Sequence, residues 1–224
     1  MLSLLRRILF PPHRPVSGAL IASFMAFQLL FFVLWSMPWA RWLYAQLDLD
    51  PASVVRHGEI WRLWTYAFLH DVSGPWHILF NCLVLLQFGE ELEMLWGSRR
   101  FLGFYFSAGI GAGVFVCVSY LLGLSDWPVV GASGAILGLV TAFCLTFPSR
   151  RFYFFGLVSV RAVHLLGLMP VFEIVHLVLQ PNVAVAAHVG GTLTGAFMTL
   201  RLWRVRAWRR LPGEARALWR IAHE

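Results

Sequence analysis

The chain contains no lysine, and charged residues of all kinds make up only 13% of its 224 positions. A soluble domain carries about 25%, so the shortfall excludes an ordinary water-facing surface. Cysteine is also scarce: Cys82, Cys117 and Cys144 each sit inside an apolar run, at no metal-ligand spacing. That excludes a disulfide framework and a cysteine-based zinc site. No H-E-x-x-H motif is present. Internal repeats are absent as well, which argues against a transporter. What fills the space is apolar: 59% of residues are hydrophobic and the mean hydropathy is +0.70.

The net charge of +7 comes from eighteen arginines. They cluster at the ends of apolar runs, which is the pattern of membrane-flanking charge and not of a nucleic-acid surface. A span needs about 20 apolar residues, and six runs qualify, at about 16–37, 76–96, 101–122, 133–148, 162–179 and 183–202. The predicted fold class is therefore an all-α membrane protein, a six-transmembrane-helix bundle. It forms one domain, 16–205, between a cytoplasmic N-terminal tail, 1–15, and a basic cytoplasmic C-terminal tail, 206–224. The first run follows a basic start but lacks a small-residue cleavage site, so it reads as a retained span. The long first loop, 38–75, carries Trp39, Trp42, Tyr44, Trp61, Trp64 and Tyr66. Such aromatics belong at the membrane interface, and 39–47 has helical spacing suited to lying in its plane. Fifteen of the arginines fall on one side of these spans, with only Arg41, Arg56 and Arg62 on the other. By the positive-inside rule both termini are cytoplasmic. The starts of spans two, four and six then face outward.

Four polar residues share that outer depth: His77, Asn81, Ser133 and His188. Ser133 stands among Gly131, Ala132 and Gly134, at the head of the uncharged run 127–149. One reading is helix packing, with Gly134 and Gly138 as a small-xxx-small face. The other is a nucleophile left open by neighbours without side chains. His188 shares a helical face with Gly191 and Gly195, which would let the fourth span approach and bring Ser133 within reach. The histidine would then act as general base. No acidic residue is evident at matching depth, so a dyad is expected in place of a triad. His77 and Asn81, at i and i+4, offer donors for an oxyanion; alternatively, Asn81 bonds two helices together. Zinc held by His70, His77 and His188 is a weaker alternative, without a supporting motif. No metal and no cofactor are expected.

Trp61-Arg62, His70, His77-Ile-Leu-Phe-Asn81, Glu93, Gly97, Gly131-Ala-Ser133-Gly134 and Ala187-His188-xx-Gly191-xxx-Gly195 occur in that order. Together they resemble the rhomboid intramembrane serine proteases of the basic six-span bacterial type. The resemblance implies a rhomboid-like bundle with a water-filled cavity open to the outside. It implies Ser133 as nucleophile and His188 as base, with His77, Asn81 and the Ser133 N–H as oxyanion donors. It implies transmembrane protein substrates, cut after small residues near their outer boundary, and a place in the lipid bilayer of a bacterial inner membrane; no nucleic-acid partner is expected. Trp61, Arg62 and His70 read as residues that fix the first loop, and Glu93 as a helix-contact hydrogen bonder. There are departures. Leu137 stands where many members carry an aromatic residue under the histidine. The interval from His70 to His77 is longer than in some members and contains Gly74-Pro75. His164, Glu173 and His176 receive no role. The alternative function is that of a proteolytically inactive relative binding membrane clients, although such relatives generally lack the serine or the histidine.

Overall fold

A computed structural model describes residues 15–154, 158–179 and 185–202. Apart from Pro15, both basic tails, 1–15 and 206–224, fall outside the described residues. Ten helices are described: α1 (Pro15–Leu34), α2 (Pro38–Leu47), α3 (Pro51–His57), α4 (Arg62–Thr65), α5 (Trp76–Val84), α6 (Glu90–Trp96), α7 (Ser98–Leu121), α8 (Ser133–Thr146), α9 (Ala162–Leu179) and α10 (Val185–Phe197). A π turn, Leu85–Gly89, joins α5 to α6, so 76–96 is one uninterrupted helix, as the apolar run predicts. A second π turn, Met198–Leu202, extends α10.

One expectation needs correction. The chain is not all α: an antiparallel hairpin, β1 (Arg151–Phe154) with β2 (Val158–Arg161), connects α8 to α9. Its Phe152 and Val160 pack against the main core, and β-branched and aromatic residues favour such a ribbon. The fourth run forms α8 from Ser133 onward, as expected. Residues 127–132 stay extended or in a turn because Val129 exchanges backbone hydrogen bonds with Leu49, at 2.9 and 3.0 Å. By length and composition two of the described helices, Pro15–Leu34 and Ser98–Leu121, suffice to cross a membrane.

Prolines open α1, α2 and α3, where the missing N–H is no loss and the fixed φ suits the first turn. Asp50 caps α3 by accepting from Ala52 N and Ser53 N, both at 3.2 Å. The first turn of α1 is capped from elsewhere in the chain. The buried Glu93 carboxylate accepts Val16 N at 2.9 Å, Ser17 N at 2.8 Å and Ser17 Oγ at 2.7 Å, and takes Ser98 Oγ at 2.6 Å. A negative charge is stabilising at that end of a helix, so Glu93 ties three helices together away from Ser133.

The first loop folds into α2, α3 and α4. Arg62 is buried and its charge is paired: Nε donates to Glu59 at 2.6 Å, and one terminal nitrogen donates to Ala45 O, Asp48 O and Asp48 Oδ1 at 2.7–2.9 Å. Burial pushes the Asp48 carboxyl up to about 6 against the pull of that guanidinium. Trp61 Nε1 donates to Gln46 O at 3.0 Å. Both residues brace the loop, and Gly131 N donates to Tyr66 O at 3.0 Å, which fixes the braced loop to the approach to Ser133.

At the centre lies α8. It is apolar all round, and Ala135, Ile136, Leu139, Ala142, Phe143 and Cys144 are buried, the pattern of a helix enclosed by others. Around it, α1 and α9 turn large side chains outward, among them Phe32, Val33, Phe172 and Val178. An apolar exterior on a well-packed bundle marks a surface that meets lipid or protein.

Candidate active site

Ser133 is the first residue of α8, and the turn that delivers it depends on Gly131. That residue has φ +122°, and a Cβ there would stand 2.6 Å from His77 Nε2. Both the backbone conformation and the space require glycine. Four N–H groups at a helix start have no intrahelical acceptor, so the turn at Ser133 presents backbone donors beside its own hydroxyl.

The contact between α8 and α10 is made by backbone. A Cβ on Gly138 would stand 3.0 Å from Gly191 O, one on Gly134 would stand 3.1 Å from Ala187 O, and one on Gly195 would stand 2.6 Å from Gly138 Cα. The two readings of the Gly134 and Gly138 face are therefore compatible: the glycines pack the helices, and the packing brings two polar side chains together. Ser133 Oγ lies 2.8 Å from His188 Nε2.

His188 is held on its other side as well. Its Nδ1 lies 2.9 and 3.0 Å from the two carboxylate oxygens of Glu173 on α9. This corrects the expectation that no acidic residue matches the histidine in depth. The signal was present in the sequence: α9 and α10 run in opposite directions through a short connection, so Glu173, in the last two turns of α9, lies level with His188 in the first turn of α10. Leu137 sits one turn below Ser133, half-buried. His164 is exposed, and the side chain of His176 lies outside the described residues.

On α5, His77 and Asn81 occupy one face. The Asp71 N–H approaches His77 Nδ1 at 3.4 Å. An accepting Nδ1 leaves the ring proton on Nε2, the nitrogen that faces Gly131. Asn81 is buried, and its amide donates to His77 O at 2.8 Å, which leaves the second amide hydrogen available. His70 is buried in the loop against Phe24 and His77, at ring-centroid distances of 5.2 and 5.1 Å. Its ring nitrogens find no hydrogen-bond partner of good geometry among the described residues. Among the described residues no three His, Cys, Asp or Glu side chains group as metal ligands.

Residues 57–205 match the model of the Rhomboid domain. The chain belongs to the rhomboid family. It is 32% identical to the rhomboid protease GluP of Bacillus subtilis over 150 residues, which cover 67% of this chain and 27% of that protein. It is 29% identical to the rhomboid protease AarA of Providencia stuartii over 169 residues, 64% of this chain and 56% of that relative. Over 94 residues it is 38% identical to RHOMBOID-like protein 1 of Arabidopsis thaliana, covering 42% of this chain and 23% of the plant protein. The matched segment thus spans about a quarter of GluP and about half of AarA. Every rhomboid motif singled out above except part of the loop's aromatic set falls within 57–205.

Proposed function

We propose that this rhomboid is an intramembrane serine endopeptidase in which Ser133 is the nucleophile and His188 the base. The observation that carries the reading is the 2.8 Å contact between Ser133 Oγ and His188 Nε2, made across a glycine-packed helix pair in a family whose relatives are named proteases. His188 Nε2 takes the hydroxyl proton as Oγ attacks the peptide carbonyl, and returns it to the leaving amine. The developing oxyanion is received by His77 Nε2–H, the free amide hydrogen of Asn81 and the Ser133 N–H. Water then hydrolyses the acyl-enzyme, with His188 again as base.

The reading extends to topology. Six spans with both termini cytoplasmic would place the site on the outer side, in agreement with the arginine distribution. The 14 residues of α8 rise about 21 Å, against a hydrocarbon core of about 30 Å. With the end of α8 at the inner boundary, Ser133 lies roughly 9 Å below the outer one. A substrate helix hides its carbonyls in hydrogen bonds and must unwind there. Glycine and proline make unwinding cheap, at about 1 and 3 kcal/mol of helix propensity. The residue before the cut is small, because the site is walled by glycine and alanine.

The deciding experiment is labelling of the purified protein with a fluorophosphonate, followed by mass spectrometry of the products from a single-span substrate. The wild type is expected to label, Ser133→Ala is not, and the cut is expected after a small residue near the outer boundary. A folded wild type that neither labels nor cleaves, yet binds transmembrane clients, would establish the inactive-relative alternative instead.

A further inference from the structure

We infer that Glu173 is a positioning residue for His188, so that the site works as a Ser–His–Glu triad and not as a dyad. The inference rests on the reading of Ser133 and His188 just given. Both nitrogens of the His188 ring are committed, Nε2 to Ser133 Oγ at 2.8 Å and Nδ1 to the Glu173 carboxylate at 2.9 and 3.0 Å. An ionised carboxylate can only accept. It therefore holds the ring proton on Nδ1 and leaves the Nε2 lone pair directed at the serine hydroxyl. That tautomer is the one a general base requires.

The charge accounting points the same way. The Glu173 side chain is 17% exposed and that of His188 12%. An acid at this depth is costly unless it is paired. Among the described residues Glu173 has one charge partner, and it is His188. Its neighbours Val171, Phe172, Ile174 and Val175 all face outward, while Glu173 turns in. When His188 accepts the serine proton, a doubly protonated ring forms in a poorly solvated site. The carboxylate already in contact with it balances that charge without reorganisation. Glu173 touches neither substrate nor the reacting atoms, so its action passes through the histidine alone.

A purely structural role, holding α9 against α10, would predict a different set of measurements. Glu173→Gln conserves shape but can turn an N–H toward Nδ1, which forces the ring proton onto Nε2 and removes the lone pair. In the full-length protein in proteoliposomes we expect Glu173→Gln to lower kcat by about 100- to 10,000-fold. KM should stay within about threefold and the melting temperature near wild type. Glu173→Asp, a shorter carboxylate, should recover part of the lost kcat. Should Glu173→Gln fail to fold, the same kcat and KM comparison is read on Glu173→Asp against Glu173→Ala. A kcat within threefold of wild type for the folded glutamine variant overturns the inference. So does a loss confined to KM, or an aspartate variant no better than the glutamine. Ser133→Ala, run in parallel, separates the two levels. If it cleaves, the nucleophile assignment itself fails; if it is inactive while Glu173→Gln is fully active, only the role of Glu173 fails.

Discussion

Replacing Gly191 by alanine tests whether backbone contact sets the active-site distance. A Cβ at this position would run into the Gly134 carbonyl oxygen, and would stand 2.6 Å from its carbon and 3.1 Å from Cα, where ordinary contact begins at 3.4 Å. The atoms in the way are backbone, so no side chain can swing aside. Helix α10 must recede from α8 by at least about 0.8 Å, which stretches the 2.8 Å serine–histidine contact to about 3.6 Å or more, outside hydrogen-bond range. Overpacking of this kind costs about 1–3 kcal/mol of stability. A misplacement near 1 Å lowers a reaction rate by about 100-fold. Gly191→Ala should therefore fold with a lowered melting temperature and cleave a single-span substrate about 100 times more slowly. Gly103→Ala on α7 is the control, because nothing lies within 4 Å of a Cβ there; it should keep full activity. A Gly191→Ala protein with kcat within threefold of wild type would refute the argument that backbone packing sets the distance.

Asn81→Ala and His77→Ala each remove one oxyanion donor, which typically costs about 2.7–4 kcal/mol, or about 100- to 1,000-fold in kcat. Steady-state kinetics check this, and a change in KM alone would make them binding residues. His70 makes stability depend on pH. Burial, reinforced by the charge of His77, lowers its pKa from 6.5 to about 3. The unfolded chain thus binds a proton that the folded one refuses. The contribution is complete above pH 6.5 and lost progressively as the pH falls toward 3, amounting to about 2 kcal/mol at pH 5. Thermal melts at pH 7.5 and pH 5 should show a smaller pH effect in His70→Phe than in wild type, and equal effects would contradict the assignment.

Much of the helical frame was legible because its punctuation is local. Pro38 and Pro51 open helices at the positions where proline is tolerated, Gly97 separates α6 from α7, and Ser133 heads α8 as its glycine-rich approach suggests. The pairing of Ser133 with His188 was also within reach, since glycines at offsets of three and seven from the histidine imply a close helix on that face. The hairpin was not legible: 151–161 is short and apolar, and its strand character depends on packing against Phe88 and Phe143. The role of Glu173 was hidden for another reason. Depth along α9 could be counted, but the rotation of that helix about its axis is set by tertiary contacts.

The glycine contact between α8 and α10 has a thermal consequence. In most enzymes the catalytic groups are aligned by side chains that can change rotamer, so activity drifts as a protein warms and softens. Here the two helices that carry Ser133 and His188 meet through main-chain atoms, which have no rotamers to change. The spacing of the two helices then has no intermediate setting: it persists while the helices stay docked and disappears when they part. Catalytic competence and helix docking become a single cooperative property, and loss of activity on heating should coincide with the unfolding of the bundle.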